Sequence, residues 1–382
     1  MKLPRDLPKK PMTPIELSTD AGIPATPFRA ASATGSAGKL RPYRGVLTPS
    51  QLDAPEKETE ALVTGAAVHD LGWMRRVAVR GEDRFRWLNG MVTNSVNELA
   101  EDGGAWNLVL NAQGRIQGDL WVWREGDALE LEIAADQQEK LLAHLNRYII
   151  MDDVELVPLE DEIAIGVTGP HADAVMTRAG LPALEALKQT RAQWGGQLRV
   201  RRSYGVLAAH YEIWLARDQV AALCRALKDA GAAEVGADSL EAFRIAEAIP
   251  AYGVDMLERD LPQETSQLRA LHFTKGCYLG QEIVERIRSR ATVHRHLRQL
   301  ELMGPLPASG TELFAAGESE GSKASGTITS AATLPLKSGA RTFALGMVRA
   351  QAEAANSVLT YAGGTAKGDA RILSVPPKFE SE

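Results

Sequence analysis

The most unusual run in this chain of 382 residues is Lys275-Gly276-Cys277-Tyr278-Leu279-Gly280-Gln281-Glu282. It sets a thiol between two glycines, two residues after a lysine. Glycine tolerates positive φ and close backbone approach, so the run reads as a tight loop with an exposed centre. The thiolate is the reactive form of cysteine, and a cation at Lys275 would favour it. A functional thiol at Cys277 is one reading; the other is a small buried hydrophobe, the commoner fate of a lone cysteine. Gln281 and Glu282 open an apparent helix whose first amides could hold an anion.

A second constellation lies in the run Gly118 to Trp123. Strand alternation puts Asp119, Trp121 and Trp123 on one face and Leu120 and Val122 on the other. One carboxylate beside two indoles could wall a flat heteroaromatic ligand. The same residues could equally be core aromatics with a charge at a strand edge. Glu212 and Arg244, taken alone, fit a surface ion pair. Downstream, Arg286, Arg288, Arg290, Arg295 and Arg298, with His294 and His296, form a basic stretch. It could meet an acidic ligand or RNA phosphates, or be a solvated, partly paired surface. His294 and His296 lack nearby acidic or cysteine ligands, so no metal site is expected there.

These residues need elements to position them. Trp73 to Arg80 reads as a strand and Glu82 to Asn89 as a short helix, with Phe85 and Leu88 inward. Ala105 to Leu110 and Gly118 to Trp123 read as strands joined by a turn at Asn111-Ala112-Gln113-Gly114. Helical spacing of Leu141, Leu142, Leu145 and Ile149 predicts a helix over 137–149, followed by a strand near Val154 to Val157. A second strand and helix unit begins at Ile163 to Val167. Gly196 to Arg202 and Ala208 to Leu215 read as paired strands. Val220 to Ala230 reads as a helix with Cys224 inward. Asp238-Ser239-Leu240-Glu241 fits a capping box opening a helix to about Ala248. After residue 295, short alternating runs punctuated by Gly, Pro, Ser and Asn predict a small antiparallel barrel.

Composition bounds the rest. Apolar residues make up 45% and charged residues 24%, which excludes a largely disordered, collagen-like or coiled-coil chain. Nothing approaches the ~18–20 apolar residues of a membrane helix, and no apolar stretch follows the N-terminus as in a secretory signal. Two distant cysteines exclude a disulfide scaffold, so a reducing cytoplasm is the expected setting. A net charge of −6 disfavours a general nucleic-acid binder. Residues 1–50, rich in proline and small residues, are expected to form a disordered extension. An α+β region is expected over 55–290, as two lobes divided near residue 160, with the barrel over 295–376.

Lys275 to Glu282 resembles the signature of the folate-binding YgfZ/GcvT-like family, whose members are similar to the glycine cleavage T-protein. Arg84 to Asn94, Gly326 to Ser330 and Ala344 to Arg349 resemble the same family, and the likeness covers roughly 60–376. It implies an α+β fold: a three-lobed T-protein-like ring of two α+β domains and a C-terminal antiparallel β-barrel around tetrahydrofolate or a one-carbon derivative. By residue, it implies that Asp119 faces the reactive edge of folate, that Glu212 pairs with the pterin, and that Arg244 lies beside that glutamate. Lys275, Tyr278 and Gln281 join the cofactor-binding set, and Cys277 and Asp119 are the catalytic candidates. The physical logic is that a carboxylate accepts two parallel bonds from the amidine-like edge of a pterin, and that a neighbouring arginine keeps it ionised. The basic stretch could meet the acidic tail of folate.

The resemblance implies a cytoplasmic, monomeric tetrahydrofolate-binding accessory protein that assists assembly or repair of iron–sulfur clusters, with client enzymes or assembly proteins as partners and no membrane. Before Glu212 the T-protein pattern is glycine-rich and acidic; here it is Leu207-Ala208-Ala209-His210-Tyr211. That difference and the Cys277 segment point away from aminomethyl transfer, and Asp119 points back toward it. A folate-dependent aminomethyltransferase is therefore the alternative, and an RNA-associated protein in tRNA modification the third reading.

Overall fold

The computed structural model describes residues 23–28, 39–290, 293–318, 321–364 and 366–379. A hairpin of β1 (Leu40–Tyr43) and β2 (Val46–Pro49) comes first, then helix α1 (Pro55–Val63) and β3 (Ala67–Asp70). A five-stranded antiparallel sheet follows, built from β4 (Met74–Arg80), β5 (Gly104–Leu110), β6 (Ile116–Glu125), β7 (Ala128–Ala134) and β8 (Glu155–Leu159) in the order β5-β6-β7-β4-β8. Helices α2 (Arg84–Met91) and α3 (Ala135–Asn146) accompany it. Leu88, Val122, Leu131, Leu141 and Leu145 form the core beneath them.

A second sheet of six strands joins β9 (Glu162–Gly169), β10 (Lys188–Gln193), β11 (Gln197–Ser203), β12 (Ala209–Ala216) and β13 (Ala233–Val235) with β3, in the order β10-β11-β12-β9-β3-β13. Its apolar face packs α4 (Ala172–Arg178) and α5 (Val220–Asp229), where Cys224 is buried as its spacing predicts. Because β3 belongs here, a boundary near residue 160 leaves one strand of this sheet on the wrong side. Helix α6 (Ala237–Ala246) begins after Gly236, so Asp238 lies inside it and does not cap it. The loop region to residue 280 leads into α7 (Gln281–Arg290).

The last strands are β14 (Arg295–Met303), β15 (Glu312–Phe314), β16 (Gly326–Leu334), β17 (Arg341–Arg349), β18 (Val358–Gly363) and β19 (Ala366–Ile372). They close a six-stranded antiparallel barrel in the order β14-β17-β16-β15-β18-β19. Leu300, Leu313, Ile328, Val348 and Tyr361 fill it. No helix among the described residues is long and apolar enough to cross a membrane.

The described part of 1–50 is packed, contrary to the expected disorder. Phe28 is 0% exposed inside the core of the six-stranded sheet. Thr26 and Thr48 both donate hydroxyl hydrogen bonds to the buried Asp70 carboxylate. Tyr43 donates to Glu241 in α6. Isolated anchors of this kind leave no periodic pattern in a proline-rich run. Residues 1–22 and 29–38 lie outside the described residues.

Phe28→Ala should lower unfolding stability by about 3–5 kcal/mol in a denaturant titration, the cost of emptying a buried aromatic site. A loss below about 1 kcal/mol would show that this segment is only laid on the surface.

Candidate functional site

The two sheets face each other through charged residues, and strand alternation explains how. On β7, Leu129, Leu131 and Ile133 enter the core while Glu130 and Glu132 point to the other side. On β11, Arg199 and Arg201 meet them. Arg199 bonds both oxygens of Glu130 at 2.8 Å, and Arg201 reaches Glu132 at 3.1 Å and Glu130 at 2.5 Å. Arg76 of β4 adds contacts to Glu130 at 3.3 Å and Glu162 at 2.5 Å. Trp123 and Trp214 lay their rings against Arg201, and Trp214 also against Arg76. Burial alone would push Glu130 up, but Arg201, Arg76 and Arg199 outweigh it and hold it at about 2.

At the edge of this layer lies a cavity of about 150 Å³. Its walls include Trp73, Trp106, Trp121 and Tyr204, with Asp119 and Glu132 as acids and Arg44 and Arg269 as bases. It is smaller than the ~300–1,000 Å³ that encloses a whole drug-sized ligand, so it suits one ring end of a longer molecule. Asp119 is clamped there. Trp106 Nε1 donates to one carboxylate oxygen at 2.9 Å and Gln137 Nε2 to the other at 2.9 Å, while Gln137 Oε1 accepts from the Asp119 backbone N–H at 3.1 Å. Gln137 comes from the first turn of α3. Asp119, Trp121 and Trp123 share a face as their spacing predicts, and Leu120 and Val122 lie in the opposite core.

Arg269 stacks on Tyr204 and Trp106, its guanidinium carbon 4.1 and 5.1 Å from their ring centres. Arg44 sits over Trp73 at the tip of the first hairpin, with φ of +50° followed by Gly45 at +88°. A left-handed arginine is costly for an L residue. The space forces Gly45: a Cβ there would come within 2.9 Å of the Asp136 backbone nitrogen.

The other residues singled out in the sequence are placed differently. Glu212 is buried behind Glu132, opposite Arg201 in the β11–β12 register, and does not line the cavity. Burial, followed by the charge and hydrogen bond of Glu132, pushes its carboxyl well above the ordinary range. Arg244 does not stand beside it. It forms a bidentate pair with Glu241 and bonds Asp255 at 2.7 Å, tying α6 to the following loop. Lys275 is turned from the thiol: its Nζ donates to the carbonyls of Val92 and Asn94 at 2.6 and 2.5 Å. Burial pulls it down to about 7. Tyr278 is a core residue beside Leu110 and Val284. Gln281 is half-buried at the start of α7, away from the cavity. Cys277 is exposed, whereas burial pushes the Cys224 thiol up to about 12. Gly280 is required for close approach: a Cβ would lie 2.6 Å from the Asn111 carbonyl, in the turn before β6.

In the basic stretch, Arg286 pairs with Glu282, Arg288 with Glu285, Arg295 with Asp260 and Glu264, and Arg298 with Glu353. Its cations are largely neutralised by neighbours. Sequence reasoning missed Arg44, Glu132, Gln137, Tyr204 and Arg269. The alternation Leu129-Glu130-Leu131-Glu132-Ile133 was the one readable signal among them.

Three comparisons bear on this arrangement. A chain described as the glycine cleavage system aminomethyltransferase T from Bartonella henselae superposes with a TM-score of 0.81, covering 93% of this chain and 98% of that one at 20% identity. That likeness gives the fold, α+β domains with a closed C-terminal barrel, as expected. An aminomethyltransferase from Rubrobacter xylanophilus is 28% identical over 298 residues, 76% of this chain and 80% of the relative. A putative chloroplastic transferase from Arabidopsis thaliana is 24% identical over 319 residues, 81% of this chain and 71% of the relative. The family model described as the GCVT N-terminal domain matches residues 35–275. With more than half of its length matched, this chain belongs to the GCVT N-terminal domain family, the aminomethyltransferase-like proteins.

Proposed function

We propose that this protein binds a reduced folate in the cavity beside Asp119 and acts in aminomethyl or related one-carbon transfer. The observation that carries the reading is the clamp on Asp119: a carboxylate fixed by Trp106 and Gln137 at the wall of an aromatic-lined cavity. The residues present suit such a ligand. Indole and phenol walls match a flat ring system, the acids match its amidine-like N–H edge, and the arginines match carboxylates. Tetrahydrofolate, when bound, supplies the amine that receives or releases the one-carbon unit.

The chain's part is positioning and charge. Gln137 and Trp106 occupy one lone-pair direction on each Asp119 oxygen and fix the carboxylate plane. The remaining lone pairs can face a reacting amine, either to stabilise positive charge or to take its proton. Tyr252, a neighbour whose hydroxyl is pushed up to about 12 by burial and by Asp119, stays protonated near that carboxylate.

A second reading has its own observation. Cys277 is an exposed thiol between Gly276 and Gly280, and it does not line the cavity. An accessory role in assembly or repair of iron–sulfur clusters, as in the YgfZ branch, would use it. Two unpaired cysteines suit a reducing cytoplasm.

Asp119→Asn should keep tetrahydrofolate binding within about threefold while lowering turnover of an aminomethyl-carrier substrate about 100-fold or more, the scale of one lost electrostatic group. An unchanged rate, or no calorimetric binding of tetrahydrofolate to the native chain, would overturn the first reading.

Brief alkylation at neutral pH should modify Cys277 well before Cys224, as peptide mass spectrometry would show. Prior labelling of Cys224 would contradict the exposure argument. Cells relying on Cys277→Ala should lose cluster-enzyme activity if the second reading holds, and full rescue by that variant would remove it.

A further inference from the structure

Three successive backbone amides in the loop between β11 and β12 converge on one buried carboxylate. Glu247, which caps the end of α6, is 1% exposed. Its Oε1 accepts from the N–H groups of Val206, Leu207 and Ala208 at 3.0, 2.8 and 3.3 Å. Successive amides turned to one point form a concavity that binds anions. Here the chain fills it with its own glutamate, although the loop run Tyr204-Gly205-Val206-Leu207-Ala208 carries no acid. The winding is tight: a Cβ on Gly205 would lie 1.9 Å from the Ala208 carbonyl oxygen.

The carboxylate is itself fixed from the sheet. His210 Nε2 of β12 donates to Glu247 Oε2 at 2.6 Å. His210 Nδ1 then accepts from the Thr168 hydroxyl of β9 at 3.2 Å, and the Thr168 oxygen accepts from His69 Nε2 of β3 at 2.9 Å. Three neighbouring strands thus stand behind one side chain. Both oxygens of Glu247 are engaged and it does not line the cavity, so any effect it has there passes through the loop.

The loop begins with Tyr204, which does line the cavity. Arg269 stacks on its ring at 4.1 Å and on that of Trp106 at 5.1 Å. Among the described residues no carboxylate pairs with Arg269, so the two rings hold its guanidinium. Trp106 in turn donates its indole N–H to Asp119 at 2.9 Å. One wall of the cavity therefore runs from the loop through Tyr204, Arg269 and Trp106 to Asp119.

We propose that Glu247 is a positioning residue for this cavity: it holds the 204–208 loop in the conformation that sets Tyr204 against Arg269 and steadies the wall beside Asp119. The proposal rests on the reduced-folate reading of the cavity. A loop ordered in advance leaves less conformational freedom to be lost when the ligand binds.

The test is calorimetric titration with tetrahydrofolate of the full-length native chain, Tyr204→Ala, Glu247→Gln and the double variant. Glutamine keeps the shape of the side chain and removes the charge that gathers the three amides. Each single variant should weaken binding about tenfold, and the double variant should be weaker than Tyr204→Ala by no more than about twofold. A merely structural glutamate would lower the melting temperature in both backgrounds without this coupling. Unchanged affinity in either single variant, or losses that multiply to about a hundredfold, would overturn the inference and leave the folate reading standing. No binding to the native chain would take both down.

The loop is also read on the native chain, where no variant has to fold. Hydrogen–deuterium exchange at the amides of Val206, Leu207 and Ala208 should be slowed about 100-fold or more relative to an open chain. Exchange at the open-chain rate would show that Glu247 does not hold the loop, and would overturn the inference.

Discussion

Arg201 is wholly removed from water, and a buried guanidinium is tolerable only where carboxylates receive its N–H groups. Three strands from two sheets must therefore stay in register around it: β7 with Glu130 and Glu132, β10 with Gln189, and β11 itself. A one-residue slip in β7 would send both glutamates into the leucine core and leave Arg201 bare. The rest of the interface follows from this constraint. Trp123 and Trp214 close over the arginines, Arg76 and Arg199 share Glu130, and the sheets meet through polar side chains where an apolar contact would have been simpler. Such a layer is weak evidence for stability. Its consequence here is a fixed geometry of the two sheets around Arg201.

The cavity lies at the edge of that layer. Asp119 is set by Trp106 of β5 and Gln137 of α3, Glu132 by Arg201, and the aromatic walls by strands anchored in separate cores. Arg44 arrives from the first hairpin, whose tip closes over the start of α3 and which is tied to Glu241 through Tyr43 and to Asp70 through Thr48. A segment of chain outside both sheets thus supplies part of the cavity wall.

Much of this was legible in the chain and some was not. Alternation at 118–123 separated Asp119 and the two tryptophans from Leu120 and Val122, because a strand between a core and an interface has one face for each. The barrel was legible from short punctuated runs, although Glu312–Phe314 is too brief to signal itself. Arg244 could not be placed, since its partners, Glu241 one turn earlier and Asp255 in a loop, are no better marked in the sequence than Glu212 was. Lys275 is held by two backbone carbonyls, which carry no residue signature at all. The packing of Phe28 rests on one aromatic among prolines, and a single anchor has no period to detect. Glu130 and Glu132 alternate visibly with leucines, yet only the geometry shows that Arg199 and Arg201 donate to them.

The most direct measurement of the central claim is a crystal structure of this chain grown with tetrahydrofolate. The pterin is expected to lie in the cavity between the tryptophans, with an Asp119 oxygen about 2.6–3.2 Å from a ligand nitrogen. Ligand density elsewhere on the protein, with Asp119 untouched, would contradict that placement.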